Sequence, residues 1–388
     1  MKKLAVISEF NPFHKGHGYL IRKARQLVNP SLTLAFMSGD FVQRGEPAII
    51  DKFKRAQSAI NNGFDLVAEM PDFISLQSAE FFARKSIEIL SKIPIDYLAF
   101  GIENINEDDF IFYAQNLLAK EEILEDKTSF YLSKNLSFTT ARYKAVEEII
   151  HNKAFISSNN ILGFEYIRSI NKINPNIIYL PIKRIGSNNK DLSIEDKDFA
   201  SSSAIRNNIS ENIANLMPQD SYGYIRNLNP QVVEDSSNIL FEIFKYKLLI
   251  ERYPMEEILA FEQGHDNFFR KILKEPKDYQ TFLKDCESLR SSRARIKRLI
   301  INYLLENKIN LNNTEINFLK ILAFNKEKSS MLGDVAKNMD IILRKSESNK
   351  LDKDNQEIYK NMVKASDLYS LIRRDYLAKD YNHNFKKG

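Results

Sequence analysis

Two of the chain's five histidines stand three residues apart, His14 and His17, with Lys15 and Gly16 between them. A short apolar run at residues 4–7 precedes them, and apolar positions at helical spacing follow over residues 16–27. The histidines therefore fall in a loop that leaves a strand and enters a helix. Backbone N–H groups and the positive end of the helix point at an incoming anion there. Gly16 removes a side chain where a ligand must approach closely. Flanking imidazoles can donate hydrogen bonds to phosphate oxygens as charge builds in a transition state. Nucleotidyl transfer needs no covalent nucleophile from the protein, because positioning and electrostatics carry it. Asn11, Pro12 and Phe13 set the turn ahead of the pair. The candidate nucleotide-binding segment is thus Ile7, Ser8, Glu9, Phe10, Asn11, Pro12, Phe13, His14, Lys15, Gly16, His17, Gly18, Tyr19 and Leu20.

A second phosphate cradle reads from Ser201, Ser202, Ser203, Ala204, Ile205 and Arg206. Hydroxyls and N–H groups at a helix start, with an arginine one turn on, suit an anion. An ordinary N-cap with a surface arginine gives the same string. The loop at residues 38–47 (SGDFVQRGEP) supplies Ser38, Gly39 and Arg44, and Arg44 has no periodic reason to be there. With Asp40, Gln43 and Glu46 it forms a candidate small-anion pocket. Lys52, Lys54 and Arg55 after it read as a solvated or RNA-facing surface.

These residues need a scaffold. The first two hundred residues alternate strand-like runs (4–7, 32–37, 66–70, 97–100, 177–181) with helical ones (16–27, 52–62, 78–90, 159–173), the pattern of an α/β domain with a mostly parallel sheet. Gly63 suits the C′ position of its helix. Gly101 reads as a turn ending a strand, with room for a ligand to pack on the backbone. Asn159 or Asn160 reads as a helix N-cap. Ligands bind beyond the carboxyl ends of such strands, where the loops at 9–17, 38–47, 71–77 and 101–104 all lie. Residues 105–158 read as helices, 183–198 as a polar loop, and 201–208 as a helix.

Pro218, Gly223 and Pro230 interrupt the pattern, so two domains are expected: residues 1–215, a Rossmann-like nucleotidyltransferase unit, and residues 216–388, mainly helical. Helices are expected at 238–253, 268–273, 278–289, 294–306 and 314–322, a short strand within 338–344, and a frayed tail at 379–388. The basic cluster Arg290, Arg293, Arg295, Lys297 and Arg298 has no acidic residue within it. On one helix face such charges would neutralise backbone phosphates of an RNA. Tyr222, Tyr224 and Phe269 read as core rather than as base-stacking groups.

Composition bounds the classes. The 388 residues, 43% hydrophobic, suit two cored domains. No apolar run is long enough to span a bilayer, and Glu9, Asn11 and Pro12 break the only signal-like start, so no membrane partner is expected and the cytoplasm is the default compartment. The single cysteine, Cys286, excludes a disulfide framework and a cysteine zinc site, and no metal-ligand cluster appears. A formal charge of +5 permits nucleic acid without demanding it. The oligomeric state is not set by sequence.

The H-x-G-H element after a first strand resembles the nucleotidyltransferase superfamily of class I aminoacyl-tRNA synthetases and small-molecule adenylyltransferases. The fuller strings SEFNPFHKGHGYL, SGDFVQRGEPAIIDKFKRA, FDLVAEMP, FGIEN, NNILGFEYI and RIGS resemble one family, the bacterial tRNA(Met) cytidine acetate ligases. The resemblance covers most of the first 210 residues and continues more weakly to about 345. It implies ATP, accompanied by Mg²⁺ held mainly by phosphates and water, acetate, and elongator tRNA(Met). It implies that His14, His17 and Arg206 are catalytic, and that Gly101, an asparagine at 159 or 160, Arg184, Ile185 and Ser203 join residues 7–20 around ATP. Ser38, Gly39 and Arg44 fall to the acetate loop, and the basic cluster to tRNA. The second domain's Glu262–Asn267 string departs from the family at His265, where an aliphatic residue is expected, and reads as a helix-breaking turn. Two alternatives remain: an adenylyltransferase acting on a small phosphorylated metabolite, and a non-enzymatic RNA-binding protein on the same scaffold.

Overall fold

Residues 3–8 are apolar but for their ends, and they form the centre of a sheet covered on both faces. The computed structural model describes residues 1–185, 199–209, 213–288, 291–335 and 337–382. Its first elements are β1 (Lys3–Ser8), α1 (Lys15–Val28), β2 (Leu32–Ser38), a hairpin of β3 (Phe41–Val42) and β4 (Glu46–Pro47), α2 (Lys52–Asn61), β5 (Leu66–Met70), the single turn α3 (Asp72–Ser75), α4 (Ala79–Leu90) and β6 (Tyr97–Ile102). Four helices follow: α5 (Glu107–Ala119), α6 (Glu121–Ser133), α7 (Phe138–Ile150) and α8 (Ser158–Ile173). Then come β7 (Ile178–Lys183), α9 (Ser202–Asn207), α10 (Gln219–Arg226), α11 (Pro230–Lys245), α12 (His265–Ile272), α13 (Tyr279–Cys286) and α14 (Arg293–Leu305). The chain ends with β8 (Phe318–Phe324), α15 (Leu332–Val335), β9 (Asp340–Ile342), α16 (Lys353–Ile372) and α17 (Lys379–Asn382).

The sheet runs β7-β6-β1-β2-β5-β8-β9. The five N-terminal strands are mutually parallel, and β8 joins β5 antiparallel. Chain order reverses at β1, which has β2 on one side and β6 on the other. That is a topological switch point, where open α/β sheets bind ligands. The α/β reading, with a mainly parallel sheet followed by helices, is what the structure has.

Several local readings change. Residues 314–322 do not form a helix; Phe318–Phe324 is the buried strand β8. Its near-continuous apolar run fits either period, and burial on both faces decides for the strand. The hydrogen-bonded sheet therefore crosses residue 215. Gly101 lies inside β6 rather than in a turn after it. Ser157, not Asn159 or Asn160, caps α8, accepting from Asn160 N–H. Pro230 opens α11 as a first-turn proline instead of breaking a helix. The tail is not frayed as far as residue 382, and α17 buries Asp380. The twenty-residue helix α16 was not anticipated. Residues 186–198, most of the polar loop, lie outside the described residues. Among the described residues no helix is long and apolar enough to cross a membrane.

Candidate active site

β1 delivers the histidine loop to the switch point. His14 is the N-cap of α1, and its Nδ1 accepts a hydrogen bond from Gly16 N–H at 3.1 Å. His17 reaches back, its Nδ1 accepting from His14 N–H at 3.2 Å. The two histidines thus form a reciprocal capping box, a role usually taken by Ser or Thr with Glu. Because both Nδ1 atoms accept, both neutral rings carry their proton on Nε2. The rings stack with centroids 3.7 Å apart, and Phe10 and Phe13 pack against His17. Burial pushes the His14 pKa well below the usual imidazole value, and burial with the nearby Arg184 takes His17 to about 3. The pair is therefore neutral at physiological pH, and two imidazoliums could not stack this closely. What it offers an oxyanion is two fixed Nε2–H donors at a helix N-terminus, not charge.

Charge comes from arginines, two of which, Arg184 and Arg206, act on the His14 ring. Arg184, just beyond β7, pairs with Glu103 at 2.8 Å. Arg206, on α9, donates to the Asn11 carbonyl at 2.6 Å and to Ser203 Oγ at 3.4 Å. Both line one cavity of about 490 Å³ with His14, His17, Gly101, Asn159 and Ser203. A Cβ on Gly101 would come within 3.1 Å of the Arg184 side chain, so this glycine makes room for the arginine. Asn159 lines the cavity and donates to the Glu103 carboxylate. Asn160 is fully buried and spends its amide on backbone: it accepts from Glu103 N–H and donates to the Glu103 and Ala154 carbonyls. Of the two asparagines, Asn159 is placed to meet a ligand.

The expected ATP segment divides. Ile7, Ser8, Glu9, Phe10, Asn11, His14, Gly16, His17, Tyr19 and Leu20 line the cavity; Pro12, Phe13, Lys15 and Gly18 support it from behind or alongside, and Ile185 is exposed away from it. The substrate loop divides too. Arg44 lines the cavity, whereas Ser38 and Gly39 are turned to Arg55, which takes their carbonyls together with those of Glu9 and Ile50. Arg55 and Lys52 are not solvated or RNA-facing: both are buried, because Arg55 ties the ends of β1 and β2 and Lys52 meets Glu69 and Asp380.

The basic cluster is also placed differently from a solvated face. Arg298 lines the cavity and donates to the Gln43 carbonyl at 3.1 Å, and Lys297 pairs with Glu46. Arg295 pairs with Glu262 at 2.7 Å, and Arg293 approaches Glu287 at 3.7 Å. Arg290 lies outside the described residues. Gly45 explains the contact. Its φ is +72°, and a Cβ there would sit 2.6 Å from the Arg298 backbone nitrogen, so the hairpin rests directly on α14. His265 opens α12, where a helix-breaking turn was expected; its Nδ1 accepts from Glu262 N–H and its ring stacks on Phe269. Cys286 is buried and free. Phe269 is core, and Tyr222 and Tyr224 pack beside a small apolar cluster under α9.

Sequence reasoning missed one wall. Thr139 and Tyr143 of α7, with Ser157, Ile161 and Leu162 around the start of α8, also line the cavity. Ile161 and Leu162 fall within the NNILGFEYI string, and no motif marks Thr139, Tyr143 or Ser157. The donors on the wall suit a polyanion: two neutral N–H donors, the arginines Arg44, Arg184, Arg206 and Arg298, Lys183, and backbone N–H groups. They do not suit a protein-held metal. Glu9 is the one carboxylate on the wall among the described residues, buried with its pKa raised by desolvation and one oxygen accepting from Gln43 N–H at 2.7 Å. Among those residues no cluster of metal-ligating side chains exists.

Comparison with known proteins finds similarity along the whole chain. Relatives named tRNA(Met) cytidine acetate ligase include those of Thermosipho melanesiensis, 33% identical over 100% of this chain and 98% of the relative, and Clostridium novyi, 34% identical over the same shares. The crystal structure of Thermotoga maritima TmcAL bound with alpha-thio ATP superposes with a TM-score of 0.84 at 28% identity, covering 99% of this chain and 98% of that one. Its apo form gives 0.83 at 30% identity, covering 96% and 95%. The profile of the HIGH Nucleotidyl Transferase family matches residues 1–384, and with a histidine capping box and two arginines on one cavity at the switch point, the chain belongs to that family.

Proposed function

We propose that this chain is an ATP-dependent ligase that activates acetate as acetyl-adenylate and transfers the acetyl group to the wobble cytidine of elongator tRNA(Met), giving N4-acetylcytidine. The observation that carries the reading is that one cavity is lined by His14 and His17 together with Arg184 and Arg206. Full-length similarity to relatives bearing the acetate ligase name supports the choice of acid and acceptor.

In the first step an acetate oxygen attacks the α-phosphorus, the α–β bridging bond breaks, and pyrophosphate leaves. The Nε2–H groups donate to phosphate oxygens as charge builds, while Arg206 and the turn at Ser203 hold the triphosphate. Neutral donors fixed by their own backbone cap need no reorientation. Mg²⁺ would arrive on the triphosphate, held by phosphate and water oxygens. In the second step the cytidine exocyclic amine attacks the acetyl carbon, loses a proton, and AMP leaves. The base must be out of its stack to enter the cavity. Arg293 and Arg295, on the outer part of α14, are the described basic groups proposed to meet tRNA phosphates, in the cytoplasm.

We take residues 1–215 as the nucleotidyltransferase unit, completed by β8 and β9 from the remainder of the chain. The test is incubation with ATP, labelled acetate and total tRNA, followed by digestion. Acetylated cytidine is the expected product. Adenylate on a phosphorylated metabolite with no label in RNA would replace this reading with the adenylyltransferase one.

A further inference from the structure

Arg298 is an oddity of the cavity. It comes from α14, in the half of the chain that the basic cluster marks for RNA, yet its guanidinium faces the nucleotide site. Among the described residues no carboxylate pairs with it, and its one recorded hydrogen bond uses Nη1 on the Gln43 carbonyl. Its neighbours on the helix, Arg295 and Lys297, each have an acidic partner. Burial and the nearby Arg295 lower its pKa to about 10, so it remains a cation whose charge nothing offsets. A desolvated cation left unpaired is costly, and a bound anion removes that cost.

We propose that Arg298 forms the subsite for the carboxylate of the acid substrate, with Ala294 and Val42 as the wall that meets a short alkyl end. This rests on the ligase reading and says where the acid sits. Three observations carry it. First, the phosphate groups have their own donors in His14, His17, Arg184 and Arg206, and Arg298 reaches the cavity from a different element. Second, Ala294 lies one turn before Arg298 on the same helix face and lines the cavity with it, and Val42 is the residue before Gln43, so the guanidinium has apolar surface beside it. Third, the Gln43 peptide bridges the two parts of the site: its N–H donates to Glu9 at the end of β1, and its carbonyl accepts from Arg298. An acid held by Arg298 thus lies one residue's breadth from the loop that holds the α-phosphate. The arrangement selects a small monocarboxylate, because the wall is built from Ala and Val, and the covering hairpin rests directly on α14 at Gly45.

Acetate-dependent ATP–pyrophosphate exchange, without tRNA, tests this. Arg298→Ala should raise the acetate KM by roughly ten- to a hundredfold, the range for losing a charge-assisted hydrogen bond, with the ATP KM unchanged, and Arg298→Lys should recover part of the loss. A parallel rise in the ATP KM would assign Arg298 to the triphosphate and overturn the proposal. So would an unchanged acetate KM. Should Arg298→Ala fail to fold, Ala294→Leu decides: it fills the subsite without touching charge, and an acetate KM that does not rise overturns the assignment. Absence of acid-dependent exchange in the unaltered protein would overturn the ligase reading itself, and this subsite with it.

Discussion

His14, buried, and His17, half-buried, stand together beside the cavity; Lys52, Glu69, Lys320 and Asp380 are buried together between α2, β5, β8 and α17. Both sets hold titratable groups away from water, and they solve that problem in opposite ways. The histidines stay neutral, spend Nδ1 on the backbone, and keep Nε2–H for a ligand. The ionic set turns its groups on one another: Lys52 meets Glu69 at 2.8 Å, Asp380 at 2.9 Å and Asp40 at 3.7 Å, and Lys320 meets Glu69 at 2.8 Å and also Asp380. A group with an unused donor facing a cavity belongs to function, and a closed network of opposite charges belongs to the scaffold. The difference teaches that burial alone identifies neither.

The ionic set should break the fold first. Asp380→Asn leaves Lys320 with Glu69, and Lys52 with Glu69 and the more distant Asp40 at 3.7 Å; removal of one partner from a buried network costs about 3–5 kcal/mol. Thermal unfolding should show that loss, while adenylation per folded molecule is retained. A variant as stable as the parent would mean that α17 is not bound to the sheet in solution.

His17→Ala reverses the pattern. It removes one oxyanion donor, worth about 10²–10³ in rate, and half of the capping box, worth about 1 kcal/mol. ATP–pyrophosphate exchange should collapse with a small shift in unfolding temperature. If exchange survived, His17 would be a cap alone.

Between these lies Gly45. A methyl group there meets the Arg298 backbone nitrogen at 2.6 Å, in a left-handed conformation that disfavours a side chain. Gly45→Ala should cost about 1–3 kcal/mol and loosen the hairpin from α14, so the acetate KM should rise along with the loss of stability. A rise in neither would separate the hairpin from the acid site.

The histidine loop was legible because its signals are local: strand, turn and helix start are neighbours in sequence, and the capping residues are themselves the chemical ones. The sheet's first five strands were legible as apolar runs between helices. The direction of the charges on α14 was not, since it depends on a hairpin some 250 positions away, Lys297 meeting Glu46 and Arg298 meeting Gln43. Gly45 within QRGEP was the available clue, a glycine needed for close approach, but nothing local says what approaches. β8 was misread as a helix because a strand buried on both faces loses its alternation. Lys52 and Arg55 look like surface cations in any local window; only Asp380, more than three hundred residues on, and the carbonyls at the ends of β1 and β2 bury them. Tyr143 and Thr139 reach the cavity through the packing of α7, which no motif announces.

The smallest effect sharpens the comparison most, because it reads the neutral pair directly. His17 has a folded-state pKa of about 3 against an ordinary value of 6.5, and His14 is shifted in the same direction. The unfolded chain therefore takes up protons at these positions that the folded chain refuses. The stability held in neutral His17 is complete above pH 6.5 and is lost as the pH falls from 6.5 toward about 3. Within that window one such group contributes about 1.4 kcal/mol per pH unit. His17→Asn keeps an oxygen to accept from His14 N–H but cannot titrate. Its unfolding free energy, followed from pH 7 to pH 5 in denaturant, should fall less steeply than the parent's by about that slope. Equal slopes would mean that His17 keeps an ordinary imidazole pKa in the folded protein, charging there as readily as in the unfolded chain, and the neutral stacked pair would not hold below about pH 6.5.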